Sequence, residues 1–176
     1  MSAPYAGKRR MNVLPKALLL CCALFAGRPL SAANQSRGDR EFERAPLRGL
    51  RSFHVVVEDL DPEAAGVGLN RDGLQTDVEV KFRTTGLPLR DGTSPYYYVR
   101  LTFLDLGSVV TWYVTAELRE EVFLPREPPL RRVAAIWSAG QIGSVGRARV
   151  VEMIRQTVRD VTDKFINDYL AANPKR

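Results

Sequence analysis

Residues 96–122 read YYYVRLTFLDLGSVVTWYVTAELREEV and contain two runs of alternating apolar and polar residues, joined at Gly107 and Ser108. Alternation with a period of two is typical of half-buried strands, and a glycine-containing pair between two such runs predicts an antiparallel hairpin. In the second run we expect one face to meet the core and the other to meet water. The apolar face contains Val110, Trp112, Val114, Ala116 and Leu118, and the other face contains Thr111, Tyr113, Thr115, Glu117 and Arg119.

Further strands are predicted on both sides of this hairpin. Residues 53–58 predict a first strand, because their side chains alternate between a fully apolar face and a partly apolar one. Residues 133–139 predict a last strand, after three prolines that interrupt the pattern. Residues 87–89 read LPL and predict a short strand. Because this short strand follows a crossover helix, we expect it to lie parallel to the first strand.

Two helices complete the predicted fold. The first follows Asn70, which suits an N-cap, and stops at Gly86, which suits the residue after a helix end. The second ends at Asn173, before a proline. Their apolar residues recur at helical spacing, and they are Leu74, Val78 and Phe82 in the first helix and Val151, Ile154, Val158, Val161, Phe165 and Tyr169 in the second. The sequence therefore predicts an α+β fold, a two-layer sandwich of a mixed four- to five-stranded sheet with two helices on one face, in the order β-α-β-β-β-β-α.

The first 33 residues have the three parts of a cleavable signal peptide. A basic start at residues 8–10 is followed by an apolar run over residues 13–25 and by small residues before a cut after Ala33. The apolar run is shorter than the ~20 residues of a spanning helix. An uncleaved anchor, a lipoprotein acylated on Cys21 or Cys22, and a start at Met11 remain alternatives. We expect a periplasmic or secreted protein with no integral membrane span after cleavage.

Removing this segment changes the composition of what remains. Five of the 26 basic residues and none of the 20 acidic ones precede residue 34, so nearly all of the net charge of +6 leaves with the signal. Both cysteines leave as well. A near-neutral, thiol-free domain is a poor candidate for nucleic-acid binding, for a disulfide scaffold or for a cysteine nucleophile. Residues 34–50 are polar and aperiodic and predict a flexible arm, and residues 51–176 predict one α/β domain.

Few residues of this domain suggest catalysis. His54 is the single histidine of the chain, so a metal site with two histidines is impossible, and no local motif supplies a catalytic partner for it. The acidic residues Glu58, Asp59, Asp61 and Glu63 lack the spacing of a calcium loop and predict a solvated strand end. We expect neither a cofactor nor a metal.

Two groups of residues are candidates for binding. Tyr96, Tyr98 and Tyr113 would form an aromatic surface if all three lie on the open face of the sheet. Residues 140–149 read GQIGSVGRAR and resemble an anion cradle before a helix, with Gly143, Ser144, Arg147 and Arg149 as candidate ligands. The cradle motif is neither a P-loop nor a dinucleotide fingerprint, and a tight turn with Ser144 as the helix cap is the alternative.

Four segments resemble a family of uncharacterised secreted bacterial proteins. They are LQTDVEVKFRTTG (74–86), YYYV (96–99), AIWSAG (135–140) and DKFINDYLAANP (163–174), and the resemblance covers residues 50–174. It implies no particular activity or catalytic residues. The order of strands and helices is also similar to the small envelope domains of the TolB N-terminal and CsgG type, which implies docking to partners rather than catalysis.

These observations favour an exported, non-enzymatic binding or scaffolding domain whose partner is an envelope protein or a small ligand. Two alternatives stay open. One is a hydrolase that uses carboxylates such as Glu58 and Asp59, and the other is a homo-oligomer that associates through an exposed hairpin edge.

Overall fold

The computed structural model describes residues 40–174, and the chain there has an α+β fold. The predicted signal peptide lies outside the described residues. The helices are α1 (Pro62–Gly66), α2 (Arg71–Thr84) and α3 (Val150–Ala172), the strands are β1 (His54–Val57), β2 (Tyr96–Asp105), β3 (Val109–Leu124) and β4 (Leu130–Gly146), and two short 3-10 turns span Ala45–Leu47 and Arg147–Arg149.

The four strands form one mixed sheet in the order β1-β2-β3-β4, which confirms the predicted fold class. β1 is parallel to β2, and the other two neighbouring pairs are antiparallel. The strand predicted at residues 87–89 is reduced to an isolated bridge, in which Leu89 pairs with Phe53 in the expected parallel direction. The Pro88 carbonyl accepts a hydrogen bond from the Phe53 N–H, but Pro88 has no N–H of its own, so the ladder cannot extend toward Arg51.

Both long helices pack on the same face of the sheet. The Phe82 ring of α2 lies 5.1 Å from Phe53 and 5.0 Å from Tyr97 between ring centroids. The Phe165 ring of α3 lies 5.0 Å from Tyr97 and 5.0 Å from Trp137. Since these partners share the buried face of the strands, an aromatic core joins sheet and helices, as the hydrophobic patterns predict.

The boundaries of α2 follow the predicted capping chemistry. The Asn70 side chain accepts a hydrogen bond from the Gly73 N–H at 3.1 Å, and Gly86 has a φ of +74°, which favours glycine after a helix end. The short helix α1 has no counterpart among the helices predicted from the sequence. It begins with Pro62 and buries Ala64, and one turn of this length has no periodic pattern for the sequence to show.

The prediction of a flexible arm over residues 34–50 is wrong for the described part of that range. Leu47 is completely buried, and its carbonyl accepts a hydrogen bond from the Asn173 side chain at 2.9 Å. Gly49 donates its N–H to Asn173 at 2.8 Å, and Tyr169 donates its hydroxyl to the Leu50 carbonyl at 3.2 Å. The end of α3 therefore holds this segment through groups that local composition does not reveal.

Asp168 ties the same segment to the core. Its buried carboxylate accepts from Arg44 Nε at 2.6 Å and from Trp137 Nε1 at 3.1 Å. We expect Asp168→Asn to lower the free energy of unfolding by about 1.5 kcal/mol, because the charge that strengthens both hydrogen bonds is removed. Urea denaturation measures the change. Asp160→Asn, at an exposed position of α3, is the control and should change stability by less than about 0.5 kcal/mol.

Candidate open-face site

The face of the sheet opposite the two long helices carries the candidate site. On β2 and β3 the side chains alternate between buried and partly exposed along the hairpin. Tyr97 is buried in the core, whereas its neighbours Tyr96 and Tyr98 are half-buried on the other face. We call this surface the open face, because neither α2 nor α3 covers it.

Four side chains form an aromatic cluster at one end of the open face, and they are His54, Tyr96, Tyr98 and Arg119. The rings of His54 and Tyr96 are 5.5 Å apart, and those of Tyr96 and Tyr98 are 6.3 Å apart in an edge-to-face arrangement. The Arg119 guanidinium lies 3.9 Å above the Tyr98 ring. Strand register brings them together, because Tyr96 pairs with His54 on β1 and with Arg119 on β3.

Two ion pairs border the aromatic cluster. Arg119 Nε is 2.6 Å from a Glu117 carboxylate oxygen, and Arg100 Nε is 3.2 Å from Glu58. Burial raises the pKa of Tyr98, and Glu58 raises it further, while Arg119 and Arg100 act in the opposite direction. The Tyr98 hydroxyl therefore stays protonated at neutral pH. The cluster offers a partner aromatic faces, a phenol donor and a guanidinium already oriented by a carboxylate.

A polar cleft of about 380 Å³ adjoins the cluster along the outer edge of β1. His54 belongs to both, and the cleft is also lined by Val55, Glu79, Arg83, Leu89, Arg90 and Asp91. The N–H groups of His54 and Glu58 donate toward β2, so strand alternation directs the backbone groups of Val55 to the cleft. A bound chain could hydrogen-bond there while its side chains reach the aromatic cluster.

The three predicted tyrosines lie on one face but do not form one site. Tyr96 and Tyr98 are in the aromatic cluster. Tyr113 pairs with Thr102, four residues along β2 from Tyr98, which corresponds to about 13 Å. Tyr113 instead neighbours Ile142 and Leu104, which are exposed apolar residues at the other end of the open face.

The turn expected for the anion cradle is not found, because β4 continues to Gly146 and residues 140–146 are strand. Gly143 pairs with Trp112, and Ser144 pairs with Thr111, with their hydroxyls 2.5 Å apart. Ser144 therefore does not cap the helix. The glycines serve packing, since a Cβ at Gly143 would lie 2.3 Å from the Trp112 ring and one at Gly140 would lie 2.4 Å from the Tyr113 hydroxyl.

Arg147 and Arg149 lie in the 3-10 turn between β4 and α3. Arg147 forms an ion pair with Asp105, at the end of β2. Arg149 is exposed beside it. Because residues 140–146 are extended, their backbone N–H groups point in alternating directions and do not converge beside the two arginines, as a cradle requires.

Arg119 was predicted on the face of β3 opposite the core but without a binding role, and His54 was not predicted to belong to a site. The position of Arg119 beside Tyr96 can be predicted from the register of the hairpin. A turn at Gly107 and Ser108 pairs Leu104 with Thr111, and counting outward from there pairs Tyr96 with Arg119. His54 could not be placed by such counting, because parallel strands are joined by a long crossover that leaves their register open.

Residues 40–174 were also searched for a metal-binding group of side chains and for a membrane-spanning helix. No group of three or more His, Cys, Asp or Glu side chains in that range is arranged to hold a metal ion. In the same part of the chain, no helix combines the length and the apolar character needed to cross a membrane.

Comparison with known proteins adds no relative to this description. No protein-family model matches the sequence, and no curated protein is similar to it. The candidate site therefore rests on the chain's own geometry.

Proposed function

We propose that the chain is an exported, non-enzymatic domain that binds a protein partner through its open face, with the aromatic cluster at the centre of the interface. The observation that carries the proposal is the Arg119 guanidinium, which lies 3.9 Å above the Tyr98 ring on the sheet face opposite the two long helices. Tyrosine and arginine are enriched among the residues that contribute most to binding, and a centre bordered by polar groups is typical of protein interfaces.

The local organisation of the cluster supports this role. Glu117 holds Arg119 in place, and the edge-to-face contact with Tyr96 restricts the Tyr98 ring. Side chains that are ordered before binding lose less conformational entropy when the partner arrives. The cluster therefore has the properties of a preorganised contact surface.

Export is part of the proposal and rests on residues 1–33. We propose cleavage after Ala33 and a periplasmic or secreted location, with an envelope protein as partner. N-terminal sequencing of the protein recovered from its natural compartment tests this step. A mature start at Asn34 is expected, and a start at Met1 or Met11 would contradict it.

The alternative of a carboxylate-dependent hydrolase has less support. Catalytic carboxylates usually lie in an enclosed site, whereas the Asp59 side chain is 97% exposed beside Arg71. Glu58 forms an ion pair with Arg100 and is partly exposed. These two carboxylates resemble a charged strand end more than a catalytic pair.

Site-specific photocrosslinking tests the proposed interface. A benzophenone amino acid at position 98 should crosslink a partner of defined mass in cells, and the same group at Val80, exposed on α2, should not. Adding Arg119→Ala to the position 98 variant should reduce the crosslinked product at least about tenfold, because a central contact is removed. Equal products from positions 98 and 80, or no effect of Arg119→Ala, would contradict the proposal.

A further inference from the structure

The outer edge of β4 lacks the residues that usually prevent an edge strand from pairing with another chain. Residues 133–146 contain no charged residue and no proline, although β4 is the last strand of the sheet. Edge strands normally carry charges or prolines that prevent another strand from pairing with them. Within residues 40–174, no strand pairs with the outer edge of β4.

The register of β4 shows which backbone groups face outward. The Arg147 N–H donates to the Ser108 carbonyl, so odd-numbered residues at this end of the strand face β3. The even-numbered residues therefore direct their N–H and C=O groups away from the sheet, and they are Ser138, Gly140, Ile142, Ser144 and Gly146. Their side chains lie on the open face and are small except for Ile142.

Exposed apolar side chains adjoin the middle of this edge. Ile142 is 71% exposed, and its cross-strand neighbour Tyr113 is 44% exposed. Leu104 and Val109 continue the exposed apolar surface on the neighbouring strands. We call these four residues the apolar patch. A partner strand along β4 would cover Ile142 and approach Tyr113.

We propose that the partner is a second copy of this chain, with the two β4 edges paired antiparallel about a twofold axis at Ile142. The two sheets would then form one continuous eight-stranded sheet. An uncharged strand can pair with its own copy without placing like charges opposite each other. The twofold axis also places the two Ile142 side chains together, as an isologous interface requires.

Charge at the ends of the paired edge favours this register. Pairing Ile142 with its copy sets Gly146 opposite Ser138 of the second copy. The exposed Arg149 that follows Gly146 then approaches a cleft of about 250 Å³ beside Ser138, which is lined by Phe42 and Glu43. The cleft thus offers a carboxylate to the incoming arginine, and the twofold axis repeats the pair at the other end.

This inference does not depend on the proposed function, because the aromatic cluster lies at the other end of the open face.

The first test of the dimer is analytical ultracentrifugation of the purified chain. We expect a reversible dimer, and Ile142→Lys should raise its dissociation constant at least about tenfold by placing two charges at the axis. Val80→Lys, at an exposed site on α2, should leave the dimer intact. A monomeric wild type, or equal effects of the two variants, would overturn the inference.

A cysteine at the axis gives an independent readout. In a background with Cys21 and Cys22 replaced by serine, Ile142→Cys should form a disulfide-linked dimer on mild oxidation, because directly paired residues lie about 5.5 Å apart between Cα atoms. Val80→Cys should form no disulfide-linked dimer under the same conditions, because position 80 lies away from the paired edges. Circular dichroism checks that the variants are folded. Failure of Ile142→Cys to crosslink while the wild type dimerises would place the dimer contact elsewhere and overturn the register.

Discussion

Phe165→Ala is expected to lower the free energy of unfolding by about 4 kcal/mol, because it removes the ring on which the core converges. Phe165 is completely buried in α3, and its ring centroid lies within 5.7 Å of rings from α2, β2, β4 and the residue just before β1. These partners are Phe53, Phe82, Tyr97 and Trp137. They come from four separate parts of the chain, so they cannot all move inward to fill the cavity. The loss of stability should therefore lie at the upper end of the range for such substitutions.

Urea denaturation followed by tryptophan fluorescence measures this loss. Phe123→Ala is the matched control, since Phe123 is 61% exposed near the end of β3 and its removal should cost less than about 0.5 kcal/mol. If Phe165→Ala leaves the chain unfolded, Phe165→Leu should still fold with a loss of about 1–2 kcal/mol. Equal stability of Phe165→Ala and Phe123→Ala would show that the described core does not carry the fold.

The parts of the fold that the sequence predicts are those with a long local period. The stripe from Val151 to Tyr169 covers five turns, and the alternation through the β2-β3 hairpin covers more than twenty residues. Each pattern repeats often enough to define both the element and its buried face. Asn70 and Gly86 add capping chemistry that sets the ends of α2 closely.

The errors arise where partners distant in sequence determine the structure. Leu47 is buried because α3 provides hydrogen bonds to its segment, and nothing near Leu47 in sequence shows this. The glycines after residue 139 suggested a turn, but they lie in β4 because they admit large rings from β3. Glycine at a close approach of side chains and glycine in a turn have the same local signature.

The candidate site was predictable only in part. The sequence pattern left open whether Tyr96, Tyr98 and Tyr113 share the open face, and in the structure all three lie there. Counting the register would have separated Tyr113 from the other two and brought in Arg119. His54 joined the cluster through the parallel pairing of β1 with β2, which depends on packing of the crossover helix rather than on a turn that can be counted.

Gly143→Ala is expected to cost about 2–3 kcal/mol, although alanine normally suits a strand better than glycine. The added Cβ would lie 2.3 Å from the Trp112 ring. Trp112 is 3% exposed, and its Nε1 donates to the Thr157 hydroxyl on α3 at 3.1 Å, so the indole is held between sheet and helix. Relief of the clash must therefore displace α3 or break that buried hydrogen bond. Thermal and urea denaturation measure the loss.

Gly140→Ala separates this packing effect from a general cost of replacing glycine in β4. Its Cβ would lie 2.4 Å from the Tyr113 hydroxyl, but Tyr113 is 44% exposed and can turn into solvent, so the cost should stay below about 1 kcal/mol. In a Trp112→Phe background the additional cost of Gly143→Ala should fall to a similar value, because the part of the indole that meets the new methyl is gone. An unchanged cost in that background would mean that Gly143 is required for its backbone conformation and not for the tryptophan.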